Sequence, residues 1–236
     1  MARLAFKALH LYTSPLSGCS ARIRITALLK DIPLTYHEIS ISSSQQSSHS
    51  YLAINPNASV PSFVIELPEN ASSPASNITI TQSPAIIDFL ESHFPNPPLI
   101  PSPDMVRERA RVMELASLVA CDIQPPQNSR IRKKIAEEFD GNGEAWARYV
   151  YERGFGVYEK FLEETGNEKL GEVIGKGPMF SLGSKVTLAD VFLVPAAQGA
   201  SRVGVGLERW PLLKSVTEEC LRLNAFRLGG VGQHKI

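Results

Sequence analysis

Five prolines fall within the eleven residues 94–104, "FPNPPLIPSPD", and no other stretch restricts the fold so strongly. Each proline removes a backbone donor and fixes φ, so the segment excludes a helix and favours an extended connector. A domain boundary near residue 100 follows, and the two sides read differently. Ahead of it, "FKALHLYT" reads as a strand, "SARIRITALLK" as a helix and "LTYHEISI" as a strand. "SVPSFVIEL" and "NITITQ" then read as paired strands and "SPAIIDFLESHF" as a closing helix, giving β-α-β-(α)-β-β-α. Behind the prolines no convincing strand appears. "PDMVRERARVMELASLVACDI" repeats apolar residues at helical intervals until Pro125 and Pro126 break it. "GEAWARYVYERGFGVYEKFLEE" reads as a second long helix thinned at Gly154, and "VTLADVFLVPAAQGAS" and "WPLLKSVTEECLRLNAF" supply two more. The fold class expected is therefore α/β plus all-α: residues 1–95 as one domain, 96–104 as linker and 105–236 as a helical domain.

Two insertions interrupt the first half. The low-complexity run "SISSSQQSSHS", residues 40–50, is expected to be a mobile surface segment. "PENASSPASN", residues 68–77, is too long for a tight hairpin turn and is expected to be an exposed insertion.

Composition excludes several classes. With 236 residues, 43% of them hydrophobic, the chain can bury a real core. Lys+Arg and Asp+Glu both total 24, so the electrostatic footprint of a nucleic-acid binder is missing. Cys19, Cys121 and Cys220 are odd in number, far apart and without ligand spacing, which argues against a disulfide framework and a metal site. The opening "MARLAFKALHLYTS" is a poor signal peptide, and no apolar run approaches the roughly 20 residues of a membrane span. A cytoplasmic protein without a membrane partner is expected. The Asn-x-Ser/Thr matches at Asn57, Asn70 and Asn77 carry no weight without a secretory route.

Three places in the first half carry chemistry. In "SPLSGCSARIRI", residues 14–25, Ser17, Gly18, Cys19 and Ser20 stand where a strand passes into a helix, so free amides and the helix dipole favour an anion there. A thiolate is such an anion, and a hydroxyl donating to it lowers the thiol's pKa; the sulfur could belong to Cys19 or to a bound ligand. The plainer reading of Ser17 or Ser20 is a helix cap. In "NPNASVPSFVI", Pro61 follows Val60 at a strand entry, where a cis X-Pro bond can expose the backbone of Val60 to an extended peptide. In "TITQSPAIIDFL", Gln82 and Ser83 stand at a helix start with Pro84 at its first position, a place for a ligand carboxylate, though capping explains Ser83 and Pro84 as well. A thiolate site, a peptide-pairing strand and a carboxylate site in one module suit a small thiol peptide such as glutathione.

Seven segments in order, "LYTSPLSGCSARIRITALLK", "YLAINPNASVPSFVIE", "ITQSPAIIDFLE", "LASLVACDIQPPQN", "RGFGVYEKFL", "VTLADVFLVP" and "LERWPLL", resemble the zeta-class glutathione transferases, the group that includes maleylacetoacetate isomerase. The resemblance implies a thioredoxin-like first domain that binds glutathione, a helical second domain that shapes the substrate pocket, and a homodimer. It implies that Ser17 hydrogen-bonds the glutathione sulfur with Cys19 assisting, that Val60 ahead of cis-Pro61 pairs with the tripeptide, and that Gln82 and Ser83 hold the γ-glutamyl carboxylate. Gln124 is implied as a glutathione contact, Asn128 as a polar position of the same segment, and Thr187 with Asp190 as a buried capping box. The implied reaction is cis-trans isomerisation of maleylacetoacetate: thiolate addition turns the double bond into a rotatable single bond, and its expulsion leaves the trans isomer with glutathione regenerated. Substrate carboxylates suit arginine; Arg22, Arg24, Arg153 and Arg202 lie in family-like segments, with Arg153 and Arg22 the candidates.

The chain departs from the commoner zeta pattern at Leu16 and Gly18, where an arginine and a second serine often stand, and at Ala21, often a large aromatic. Small residues there are expected to enlarge the site. The alternatives are conjugation or dehalogenation of small electrophilic acids such as α-halo acids, and a noncatalytic glutathione-binding domain. A glutaredoxin-like oxidoreductase is disfavoured because S-G-C-S, residues 17–20, replaces a CxxC.

Overall fold

The computed structural model describes residues 4–68, 77–171 and 180–232, and the chain divides into two compact units, Met1–Pro97 with Leu228–Ile236, and Pro98–Arg227. The return of the C-terminal segment to the first unit corrects the expectation that everything after residue 104 belongs to the second.

The first unit is built on a mixed four-stranded sheet in the order β2-β1-β3-β4: β1 Ala8–Thr13, β2 Thr35–Glu38, β3 Ser62–Glu66 and β4 Ile78–Thr81. β2 runs parallel to β1, whereas β3 is antiparallel to both β1 and β4. The alternation of Leu9, Leu11 and Thr13 buries one face of β1, and β3 is buried nearly throughout because it lies inside the sheet. Helix α1, Gly18–Leu29, and helix α3, Ser83–His93, pack together, with Ile23, Ile25, Ile86, Ile87 and Leu90 in the core. α1 is buried from Ser20 to Ala27 without a break, so its polar side chains must find partners inside the protein. Lys30, just past α1, donates to the carbonyls of Phe94 and Pro97 at 2.8 and 2.7 Å and pairs with Glu91, which fixes the start of the proline-rich segment.

The serine-rich run contains a 3-10 turn, Gln45–Ser47, and the one-turn helix α2, His49–Leu52, capped by the Ser48 hydroxyl. Gln45 closes the loop onto Ser40: its amide nitrogen donates to the Ser40 carbonyl and its side-chain oxygen accepts from the Ser40 N–H. The inserted segment of residues 68–77 falls largely outside the described residues.

The second unit is helical: α4 Val106–Ser117, α5 Ser129–Glu138, α6 Gly143–Asn167, α7 Leu188–Ser201 and α8 Pro211–Arg222, with α9 Asn224–Gly229 leading out of it. α4 passes at Leu118–Ile123 into a π-helical turn before the prolines. α7 is apolar nearly all round and correspondingly buried. Its start rests on Asp190, fully buried, which accepts from the N–H of Ser181 and Thr187 at 2.7 Å each and from the Thr187 hydroxyl at 3.0 Å. The carboxylate of Glu159 on α6 accepts from the N–H groups of Leu212 and Leu213 at 2.8 Å, satisfying orphan donors at the start of α8.

Candidate active site

Strand register decides where the site lies. Tyr12 near the end of β1 pairs with Ser62 at the start of β3, and Ser62 in turn pairs with Thr81 at the end of β4. The turn after β1, the Val60-Pro61 step before β3 and the Gln82-Ser83 step after β4 therefore emerge at one end of the sheet. Strands in a sheet lie about 4.8 Å apart, so the two outer steps are separated by about 10 Å, the reach of a short peptide.

Ser17 is the N-cap of α1, and its Oγ accepts from the N–H of Ser20 at 3.2 Å. The capping expectation is thus met, and it does not compete with the other one. An oxygen that accepts from a backbone N–H still has its own proton to donate, and accepting strengthens that donation. Cys19, partly exposed, sits in the same first turn. Leu16 is 54% exposed beside them. Ala21 is buried within α1, so the small residue there belongs to the core and does not widen an open site.

The Val60-Pro61 peptide is cis. Asn55 and Tyr51, neither legible as site residues in the sequence, brace it from both sides: each reaches the Ser59 carbonyl at 2.7 Å and the Ser62 hydroxyl, at 3.0 and 2.8 Å respectively. Burial pushes the Tyr51 phenol above its ordinary pKa, so it remains a hydroxyl. Among the described residues the N–H and C=O of Val60 take no partner, as a strand-pairing role for a ligand requires.

At α3 the cap is Gln82 rather than Ser83, which is the first helical residue and is followed by Pro84. Gln82 is exposed, with φ at 71°, a conformation uncommon for a residue with a side chain. Ser83 is buried, and its Oγ accepts from Arg22 Nη1 at 3.0 Å. This places Arg22, 2% exposed, behind Ser83, where its Nη1 polarises that hydroxyl, whereas the sequence reading sets Arg22 against a substrate carboxylate. Arg24 is deeper still, and its guanidinium is taken up by protein acceptors.

In the second unit, Gln124 is half-buried at the end of the π-helical turn, where its carbonyl accepts from the Gln127 side chain. Asn128 caps α5 by accepting from the Arg130 N–H at 3.0 Å. Arg153 is exposed on α6, next to Gly154, whose missing Cβ lets Ile123 approach: an added methyl would stand 2.4 Å from the isoleucine side chain. Arg202 ends α7 on the surface. No cluster of metal-ligating side chains occurs among the described residues.

The chain is similar to known proteins. Residues 11–98 match the family described as glutathione S-transferase, N-terminal domain. The maleylacetoacetate isomerase of Emericella nidulans is 40% identical over 221 residues, 93% of this chain and 90% of that one. Among solved structures, a bacterial maleylpyruvate isomerase of the zeta class superposes with a TM-score of 0.80 at 32% identity, covering 95% of this chain and 98% of the other. The maleylacetoacetate isomerase of Anaeromyxobacter dehalogenans, with dicarboxyethyl glutathione and citrate in its active site, gives 0.80 at 30% identity, covering 96% and 92%. Sequence and backbone agree over nearly the full length, and the chain belongs to the zeta-class glutathione transferases, the family of the maleylacetoacetate isomerases.

Proposed function

We propose that this protein is a glutathione-dependent cis-trans isomerase that converts maleylacetoacetate, or a close analogue, to its trans isomer. The observation that carries the reading is the common sheet end shared by three steps: the Ser17 cap, the unpaired Val60 backbone ahead of cis-Pro61, and the Gln82-Ser83 start of α3. The parts fit the tripeptide. Ser83, its oxygen already accepting from Arg22, donates its proton to the γ-glutamyl carboxylate at a helix N-terminus; Val60 offers one donor and one acceptor to the peptide; Ser17 donates to the sulfur. When bound, glutathione supplies a thiolate that adds reversibly to the cis double bond and frees it to rotate. Ser17 holds the sulfur ionised near neutral pH, helped by the positive end of α1, and Cys19 in the same turn assists.

In the second unit, Gln124 is assigned to glutathione and Arg153 to a substrate carboxylate, for which an exposed guanidinium has the matching fork. No helix among the described residues is long and apolar enough to cross a membrane, and a cytoplasmic location is part of the proposal. So is a homodimer, supported by Val106 and Met113, exposed apolar residues seven positions apart on α4.

Purified protein mixed with maleylacetone, a stable analogue of the substrate, tests the reading. Conversion is expected only with glutathione present and without net loss of its thiol. Glutathione binding with no conversion would redirect the function to conjugation or dehalogenation of electrophilic acids or to a noncatalytic glutathione-binding domain, and no glutathione binding would overturn the glutathione-dependent reading altogether.

A further inference from the structure

Arg24 lies at the centre of α1 with none of its surface exposed, and all three guanidinium nitrogens are engaged. Burial lowers its pKa to about 10, so it is still charged at neutral pH. Its acceptors fall into two groups. Nη1 donates to the Thr13 hydroxyl at 2.8 Å and the Ser14 carbonyl at 3.1 Å, and Nη2 to the Pro15 carbonyl at 3.3 Å, all in the turn that leads to Ser17. Nε and Nη2 donate at 3.0 Å to the carbonyls of Gly229 and Gly230, more than two hundred residues away.

The C-terminal segment also grips the turn directly. Gly232 donates its N–H to the Pro15 carbonyl at 2.9 Å, while Ser17 donates its own to the Ser14 carbonyl at 3.1 Å. Gly229 lies hard against α1: a Cβ there would stand 2.9 Å from the Ile25 nitrogen and 3.1 Å from the Arg24 carbonyl carbon. Only a residue without a side chain permits this approach, and without the approach the carbonyls of Gly229 and Gly230 leave the reach of the guanidinium.

We propose that Arg24 and residues 229–232 form a clamp that fixes the turn 13–17 and so aims the Ser17 hydroxyl at the glutathione sulfur. Arg24 and Gly229 are positioning residues in this scheme, acting through Ser17. The scheme rests on the reading that Ser17 meets that sulfur. A hydroxyl's hold on a thiolate weakens steeply with misalignment, so loosening the clamp lets the bound thiol regain its proton. Gly229→Ala separates aim from charge, because it keeps the Arg24 guanidinium and displaces only its acceptors.

The test titrates the thiol of glutathione bound to the full-length protein, by thiolate absorbance, beside calorimetric affinity and thermal midpoint. In Gly229→Ala, and in Arg24→Lys, which keeps the charge without the fork, the bound thiol's pKa is expected to rise by about one unit, a roughly tenfold smaller acid dissociation constant and so a severalfold smaller thiolate fraction at neutral pH. Glutathione affinity is expected to stay within about threefold, since Ser83 and Val60 are untouched. Gly232→Ala, a milder strain at φ 78°, gives the same sign and keeps the test open if the other two do not fold. An unchanged thiol pKa in the folded variants, whatever their thermal midpoints, would overturn the clamp and leave the segment a folding element. Wild-type protein that fails to bind glutathione, or binds it without lowering its thiol pKa, would instead overturn the function on which the clamp depends.

Discussion

Ser17 and Ser83 solve the same problem in the same way. Each stands at a helix start, and each has its oxygen occupied, by the Ser20 N–H in one case and by the buried Arg22 guanidinium in the other. Each proton is then left for donation, in the proposed reading to an anionic group of glutathione. Ser17→Ala removes both halves: glutathione-dependent turnover at neutral pH is expected to fall about a hundredfold, and the lost cap to cost about 1 kcal/mol in a denaturation experiment. Ser17→Thr, which keeps the hydroxyl, is expected to restore the stability and much of the rate. Both serines were legible in the sequence because each stands where a strand gives way to a helix, Ser17 as the cap of α1 and Ser83 as the first residue of α3, ahead of Pro84. The arginines behind them were not. Arg22 and Arg24 alternate with isoleucines, a spacing that says nothing about which charged side chains enter the core, and only the acceptors at Ser83, Gly229 and Gly230 settle that.

Among the elements, β1, β2 and β3 carry a polar chain across the half-buried sheet face: Glu66 meets His10 Nε2 at 3.2 Å, and His10 Nδ1 meets His37 Nε2 at 3.1 Å, with Tyr12 stacked on His37. Desolvation, and then the neighbouring His10, push the His37 pKa down. Near and just below pH 6.5 the unfolded chain therefore binds more protons at this position than the folded one, so stability rises with pH through that window and is lost as pH falls. The expected outcome is that wild-type protein loses more of its thermal midpoint between pH 7 and pH 5 than His37→Gln does; equal losses would remove His37 from the pH response. In the helical unit, Asp190→Ala would strand the N–H groups of Ser181 and Thr187. Unfolding free energy is expected to drop by about 3 kcal/mol, with glutathione affinity unchanged in the folded fraction. The Thr187-Asp190 box was readable from its T-x-x-D spacing. α5 was not, because "SRIRKKIAEE" has only two isoleucines to mark a face and none of its residues is buried.

For the whole molecule, the order of elements in the first unit could be read from alternation and turn residues, and the proline-rich stretch announced a change of architecture. The assembly of the site could not. It depends on the register of β1, β3 and β4, which brings residues 17, 60 and 83 to one sheet end, and on the return of residues 229–232 to α1. Register arises from sheet pairing over long sequence separations, and the C-terminal segment is too short to show any periodicity. The gathered site makes one central claim, that the thiol enters and leaves the reaction unchanged. The most direct test is to supply glutathione far below the concentration of maleylacetone and follow both compounds to the end point by proton NMR. Complete conversion to the trans isomer with the thiol titre unchanged is the predicted result. Conversion that stops once each glutathione has been consumed in a stable adduct would contradict it.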